Sequence, residues 1–359
     1  MVVSVKLTQS YSIAYTNKPT ESGVVIYIIP ESVTTLTNTH FVIAIDNSPS
    51  MKEDNKLDIS MQAAQNLLAS LPPGNLVTII YFANHPHVVY QGPTGQPVTI
   101  ERKFEGTTRL HEALREIIKI TSQNNTATKV ILLTDGQPVD KTNVKDYQAL
   151  QFPPYVQFIC LGVGRDYNEV ILKTIADKTG GLFFHVEDPN SLPVLFESQR
   201  TTNTAAYNVE VETPRDFTPL NYNSPIRLPV VENMVAIYGT LLVPPGDTPY
   251  TAKFVVRYVE PADGQQKEIT KFLTFNRGNA EQVMGSVNGR VQAEIRYYRL
   301  LREYEQSLMT GKAESTRIIQ SLQEAAEQTR REDLIESTRK LSGDSKVDLS
   351  EVTRKMRSQ

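Results

Sequence analysis

The stretch Phe41-Val-Ile-Ala-Ile-Asp-Asn-Ser-Pro-Ser50 decides the fold of this 359-residue chain. Its first five residues are an uninterrupted apolar run, the pattern of a strand buried on both faces. Asp46, Ser48 and Ser50 follow where such a strand must end. Two further pieces, far away in sequence, have the same character. Gly106-Thr107-Thr108 opens a helical pattern, and Thr134-Asp135-Gly136 follows the apolar run Val130 to Leu133. Each places small oxygen ligands at a strand end or a helix start.

Working outward, residues 37–200 alternate apolar strands with helices. The expected strands are 40–45, 76–83, 129–133, 156–163 and 182–186. Helical spacing links Leu57, Met61, Ala64, Leu68 and Leu71, then Leu110, Ala113, Leu114 and Ile117, and later Val170, Leu172, Ile175 and Ala176. Residues 88–90 and 98–100, joined through Gly-Pro-Thr-Gly, read as an edge hairpin. Strands alternating with helices imply an α/β fold, a doubly wound and mainly parallel sheet covered on both faces.

Residues 1–36 and 203–280 read differently. Val3, Val5, Leu7 and Val24, Ile26, Ile28 alternate in period two, as do Tyr207, Val209, Val211 and Phe254, Val256, Tyr258. The simplest arrangement is a β-sandwich built from both flanks, with the domain 37–200 inserted into it. From 281 the pattern is helical to 342: one long stripe through Val283, Val287, Val291, Ile295, Tyr298 and Leu301, a second helix with Ile318, Leu322 and Ala326, and a third with Leu334, Ile335, Thr338 and Leu341. Gly343 breaks it, and 343–359 reads as a mobile polar tail.

Composition excludes several function classes. A net charge of −3 gives no electrostatic footprint for nucleic acid or acidic membrane. The amino terminus lacks a basic region followed by an apolar core, and no apolar run approaches the ~20 residues of a spanning helix, so the expected location is the cytoplasm. The single cysteine, Cys160, lies in a strand pattern and reads as a small core residue. His85-Pro86-His87 lacks a third ligand nearby and reads as a solvated loop. Gly162-Val-Gly164 reads as a tight turn, and the Lys/Arg clusters near 330–331 and 354–357 as solvated helix faces.

In an open α/β sheet, ligands sit beyond the carboxyl ends of the strands where strand order reverses. If the strands ending at Asp46 and before Asp135 are neighbours there, both carboxylates meet in one crevice. A tight loop can aim Ser48 and Ser50 at the same point, and Thr108 has a free hydroxyl at a helix start. Two carboxylates and three hydroxyls are hard ligands suited to Mg²⁺, Mn²⁺ or Ca²⁺. Mg²⁺ sheds water reluctantly, so a coordination position stays open, a docking point for a partner's carboxylate. Each residue alone has an ordinary role: Asp46, Ser48 and Ser50 can satisfy loop N–H groups, and Asp135-Gly136 is a common turn dipeptide. Their joint occurrence in order favours the cation.

The constellation resembles the metal-ion-dependent adhesion site of von Willebrand factor A domains, over roughly 160 residues. That family's pattern is Asp-x-Ser-x-Ser, a Thr after a Gly-rich turn, and an Asp followed by Gly. The resemblance implies metal ligation by Asp46, Ser48, Ser50, Thr108 and Asp135. Thr108 is chosen over Thr107 because the family's Thr precedes an Ala-Leu pair by five residues, here Ala113-Leu114. Pro49 stands where the family often has Gly, which stiffens the loop.

The order of β-strands, inserted A domain, returning β-strands and helical end resembles the archaeal regulators of archaellum expression of the ArnB family. That resemblance implies a cytoplasmic phosphoprotein that represses motility. Its implied partners are a zinc-finger protein with a forkhead-associated (FHA) domain and Ser/Thr protein kinases. The carboxyl-terminal Thr338, Ser342, Ser345, Ser350, Thr353 and Ser358 are candidate phosphate acceptors. Thr353 stands out for its expected exposed position among Arg354, Lys355 and Arg357, and FHA selectivity for phosphothreonine favours Thr353 or Thr338 over the serines. Two other function classes bear on these residues. A Mg²⁺-dependent phosphatase of the haloacid dehalogenase type needs a second acid two residues after its first Asp, and Ser48 stands there. An A-domain adaptor for a AAA+ ATPase fits the A domain alone. The expected function is therefore protein interaction, not catalysis.

Overall fold

The computed structural model describes residues 2–35, 38–94, 98–200, 203–311 and 315–357, with the side chains of 315 and 316 outside that description. The chain divides into two compact units. One comprises residues 34–204 with 228–230, and the other residues 1–33, 205–227 and 231–359.

The first unit is built on a six-stranded sheet. From one edge its strands are Leu182–Val186, Val156–Val163, Thr128–Thr134, His40–Asp46, Leu76–Phe82 and Pro86–Pro93. All pair in parallel except the last, which is antiparallel to its neighbour. Every residue of His40–Asp46 and Thr128–Thr134 is buried, as the continuous apolar runs require. Helices α1 (Lys56–Ser70), α2 (Leu110–Thr121), α3 (Val144–Ala149), α4 (Glu169–Lys178) and α5 (Leu192–Glu197) accompany the strands. Phe41, Ile43 and Ile45 share a core with Leu57, Ala64 and Leu68 of α1 and Leu192 and Phe196 of α5.

One correction applies here. Residues 88–90 do not form a hairpin with 98–100. They belong to Pro86–Pro93, which folds back on Leu76–Phe82, and 98–100 is not a strand. Gly95, in the expected turn, lies outside the described residues. Gly164 does sit in a turn, with φ of 70°.

The second unit contains two sheets. One orders Val3–Gln9, Thr20–Pro30, Val235–Val243 and Phe217–Pro219, all antiparallel. The other orders Ala206–Glu212, Tyr250–Val259, Gln266–Gly278 and Ile13–Tyr15. Phe217 and Phe254 meet edge to face, ring centres 5.7 Å apart, so the two sheets share an apolar interior. The opposite face of the first sheet carries helices: Val25 and Tyr238 pack with Ile295, Tyr298 and Leu301.

The helical region contains α6 (Ala280–Gly285), α7 (Gly289–Thr310), α8 (Ser315–Thr329), α9 (Glu332–Arg339) and α10 (Ser345–Arg357). The single stripe expected from Val283 to Leu301 is two helices. Asn279 caps α6, Asn288 accepts from Val291 N to cap α7, and Val287 bridges to Tyr11 instead of continuing the helix.

The expected polar tail is the larger correction. Residues 345–357 form α10, whose Leu349, Val352 and Met356 are buried; Val352 and Met356 join the core with Tyr304 and Leu334. The spacing i, i+3, i+7 is a helical stripe hidden in a stretch of polar average. Asp348 ties the helix down, accepting from Ser342 N, Gly343 N and Tyr304 Oη. Nor are Arg331 and Arg357 solvated: Arg331 donates to Tyr238 Oη at 2.8 Å, and the buried Arg357 donates to Asn221 O and lies over the Tyr222 ring.

Candidate metal centre

The sheet of the first unit reverses its order between His40–Asp46 and Thr128–Thr134. From the former, successive strands run to one edge; from the latter, they run to the other. The register pairs Ile45 with Leu133, so Asp46 and the Thr134-Asp135 step leave the sheet side by side.

The loop after Asp46 turns at once. Asp46 Oδ1 accepts from Ser48 N at 2.9 Å, closing an Asx turn. Pro49 then begins a 3₁₀ helix, Pro49–Asn55, at a position where its missing N–H costs nothing. The turn brings Ser48 Oγ and Ser50 Oγ within 3.0 Å of each other, and Ser50 Oγ donates to Asp135 Oδ1 at 2.7 Å. From the third piece, Thr108 Oγ1 lies 3.3 Å from Asp46 Oδ2 just before α2, while Thr107 Oγ1 faces Asn84 instead. Val139 N donates to Thr108 O and Arg109 N to Ala83 O, which fixes this segment. Asp46, Ser48, Ser50, Thr108 and Asp135 thus form one hydrogen-bonded cluster, joined between Asp46 and Ser48 through Ser48 N. All but the half-buried Ser50 are buried.

Three further groups belong to the cluster besides the five expected ligands. Thr134 Oγ1 donates to Asp46 Oδ2 at 2.6 Å. Lys56 Nζ donates to Asp135 Oδ2 at 2.9 Å. Gly136 passes so close that a Cβ there would lie 2.8 Å from Thr108 Oγ1 and 3.9 Å from Asp46 Oδ2, so only glycine leaves room beside these oxygens. Thr134 immediately precedes Asp135, and a Thr-Asp step at a strand end is a usable signal. Nothing in the spacing of Lys56 announced its partner.

The donor set fits a hard cation. Both carboxylates are buried, and Asp46 accepts from Ser48 N, Thr108 and Thr134, all neutral donors. Burial pushes its carboxyl up to about 6, against the hydrogen bonds of Thr134 and Ser48, with Asp135 adding to the rise. A carboxylate so placed gains from a nearby positive charge. Among the described residues no group of three or more His, Cys, Asp or Glu could hold a metal, so hydroxyls must supply part of any such shell.

The other histidines lie elsewhere. His85 and His87 are exposed and pair with Glu112 and Glu105. Cys160 is fully buried, and burial drives its thiol far above the usual range, so it is a core residue.

With this geometry in place, likeness to known proteins becomes informative. The model of the von Willebrand factor type A domain matches residues 41–198, and that of the Archaellum regulatory network B, C-terminal domain matches residues 289–358. The crystal structure of the ArnB paralog VWA2 from Sulfolobus acidocaldarius is 39% identical, covering 99% of this chain and 98% of that one, with a TM-score of 0.94. This chain belongs to the ArnB family of von Willebrand A proteins. A von Willebrand factor type A protein from Catenulispora acidiphila shares the fold at 16% identity, covering 98% of this chain and 94% of that one, with a TM-score of 0.72. The human COPII-coat protein Sec24c shares it more distantly, at 11% identity over 90% of this chain and 58% of that one, with a TM-score of 0.57. No curated protein matches the sequence. Among the described residues no helix is long and apolar enough to cross a membrane.

The phosphate acceptors fare differently. Thr338, Ser350 and Thr353 are buried. Thr353 Oγ1 donates to Leu349 O at 2.6 Å, and Thr338 Oγ1 to Leu334 O at 2.8 Å while meeting Tyr297 Oη at 3.1 Å. The expected exposure of Thr353 is therefore wrong: it faces the core of α10 and only Arg354 beside it is exposed. Ser345, at the start of α10, is half-buried; Ser358 lies outside the described residues.

Proposed function

We propose that this chain is a non-enzymatic, cytoplasmic regulatory protein whose A domain binds a divalent cation and uses it to engage a partner. Asp46, Ser48, Ser50, Thr108 and Asp135 would hold the ion, Mg²⁺ first among Mg²⁺, Mn²⁺ and Ca²⁺. The ion supplies a positive centre with a coordination position for a partner's carboxylate. The chain's own residues do the rest. The Asx turn at Asp46 aims two serines, the Ser50–Asp135 bond couples the two strand-end loops, and Gly136 keeps the approach open. The observation that carries this reading is the convergence of three remote loops on one oxygen cluster at the strand-order reversal. Catalysis is disfavoured because the position two residues after Asp46 is Ser48, with no general acid there.

Family membership supports a place in archaellum regulation, with an FHA-domain zinc-finger protein as partner and Ser/Thr kinases acting on the carboxyl-terminal helices. On the folded chain the exposed Ser342 is the most accessible of the described acceptors, followed by the half-buried Ser345, and modification of Thr338 or Thr353 requires α9 or α10 to leave the core. A pull-down from native cells, with and without phosphatase and with EDTA or Mg²⁺, separates the two modes. A partner lost with EDTA places the cation cluster at the interface. A partner lost only on dephosphorylation places recognition on the helices and overturns the cation-docking role.

A further inference from the structure

Lys56 is the first residue of α1, and its placement is unusual in three ways. It is buried, with its residue only 8% exposed. It sits in the first turn of a helix, where the helix dipole disfavours a cation. And the chain reaches it through two successive left-handed residues, Asp54 and Asn55, with φ of 50° and 54°. Asp and Asn are the residue types that tolerate this conformation, and the pair redirects the chain from the 3₁₀ turn into α1. A buried ammonium at the wrong end of a helix needs a strong partner. Its partner is Asp135 Oδ2, 2.9 Å away, whose side chain is 1% exposed. Ser50 takes the other oxygen of the same carboxylate.

We infer that Lys56 is a built-in cation of this centre: it holds Asp135 in place when no divalent ion is bound, and it leaves the ion-loaded centre with net positive charge. This inference rests on the cation reading above. Two carboxylates and one ammonium amount to one negative charge, and a divalent ion turns that into one positive charge. A centre without the lysine would be neutral when loaded. Lys56 therefore trades cation affinity for two properties: a cluster assembled before the ion arrives, and a loaded surface that attracts an anionic group such as a carboxylate. The arrangement also explains why Asp46, whose partners are neutral, and Asp135, which has an ammonium, differ within one cluster.

The test is Mn²⁺ titration by calorimetry on the full chain, comparing the native protein with Lys56→Gln, Lys56→Arg and Asp46→Asn, together with thermal melts in EDTA. Lys56→Gln is expected to bind Mn²⁺ about tenfold more tightly, to melt lower than the native chain in EDTA, and to gain more from Mn²⁺. Lys56→Arg keeps the charge and is expected to bind Mn²⁺ as the native protein does. Added acetate, as a carboxylate probe, should tighten Mn²⁺ binding more in the native chain than in Lys56→Gln. Unchanged or weaker Mn²⁺ binding by Lys56→Gln overturns the inference and makes the lysine a structural prop. So does a Lys56→Gln chain that fails to fold both with and without Mn²⁺; folding restored by Mn²⁺ supports it. Binding by Lys56→Gln but not by the native chain supports the inference while overturning the cation reading of the native protein. Absence of binding in both overturns both, and binding by Asp46→Asn equal to native places the ion elsewhere and overturns the cation reading.

Discussion

The strand-end loops of the A domain and the carboxyl-terminal helices are both rich in Ser and Thr, yet they use the hydroxyls in opposite ways. Ser50 and Thr108 aim across the fold at the carboxylates of Asp135 and Asp46, which lie 85 and 62 residues away in sequence. Thr338 and Thr353 bond the carbonyl four residues back in their own helices. Ser50 stands in the first turn of its 3₁₀ helix and Thr108 just before α2, where no preceding helical turn offers a carbonyl, so the hydroxyl is available to a ligand. In the helices the local carbonyl takes it, and the side chain turns into the core. Residue type and local charge do not separate these cases; the backbone carrying the hydroxyl does.

The largest effect that would break this contrast is on the helical side. If α10 were a mobile tail, removing residues 344–359 would leave the melting curve unchanged. Burial of Leu349, Val352 and Met356 predicts instead a loss of about 5 kcal/mol in denaturant unfolding of the unit that contains them. Next, Asp135→Ala leaves the Lys56 ammonium buried without its partner, with an expected cost of about 3 to 5 kcal/mol in urea unfolding of the A domain. Thr353→Glu places a charge in the core and should cost about 3 kcal/mol, whereas Ser345→Glu should change stability by about 0.5 kcal/mol or less. Equal effects of the two glutamates would erase the distinction between buried and accessible acceptors.

A smaller and pH-dependent effect belongs to His40, which opens the strand that ends at Asp46. Its Nε2 lies 2.9 Å from Thr78 Oγ1, and burial lowers its pKa to about 4. The folded chain keeps His40 neutral while the unfolded chain takes up a proton below about 6.5. The stability this residue contributes is therefore complete above about pH 6.5 and falls away as the pH drops towards 4, by about 3 kcal/mol in all. Unfolding of native and His40→Gln proteins at several pH values reads this directly: the difference between them should shrink or reverse on acidification. A constant difference would mean that His40 does not resist protonation in the fold.

The contrast also explains how much could be read from sequence. Phe41 to Ile45 and Val130 to Leu133 are continuous apolar runs, and the residues after each have one way to leave the sheet, so the five oxygen side chains could be found by position. Strand order then brought them together. Lys56 escaped because its meaning depends on a contact 79 residues away, which no spacing encodes. Helix α10 escaped because its three apolar residues are diluted by charge, and a compositional reading averages over the stripe. The break between α6 and α7 escaped because Val287 kept the helical period while bonding to Tyr11. Residues 98–100 failed as a strand because Leu76–Phe82 offered the strand at 86–93 a nearer edge to pair with.

The central claim is that the cluster at the strand-order reversal is a cation centre. Crystals grown with Mn²⁺ and measured near the manganese absorption edge test it most directly. The account predicts one anomalous peak among Asp46, Ser48, Ser50, Thr108 and Asp135, absent in crystals of Asp46→Asn. A peak elsewhere, or none with the Lys56–Asp135 and Ser50–Asp135 bonds unchanged, would contradict it.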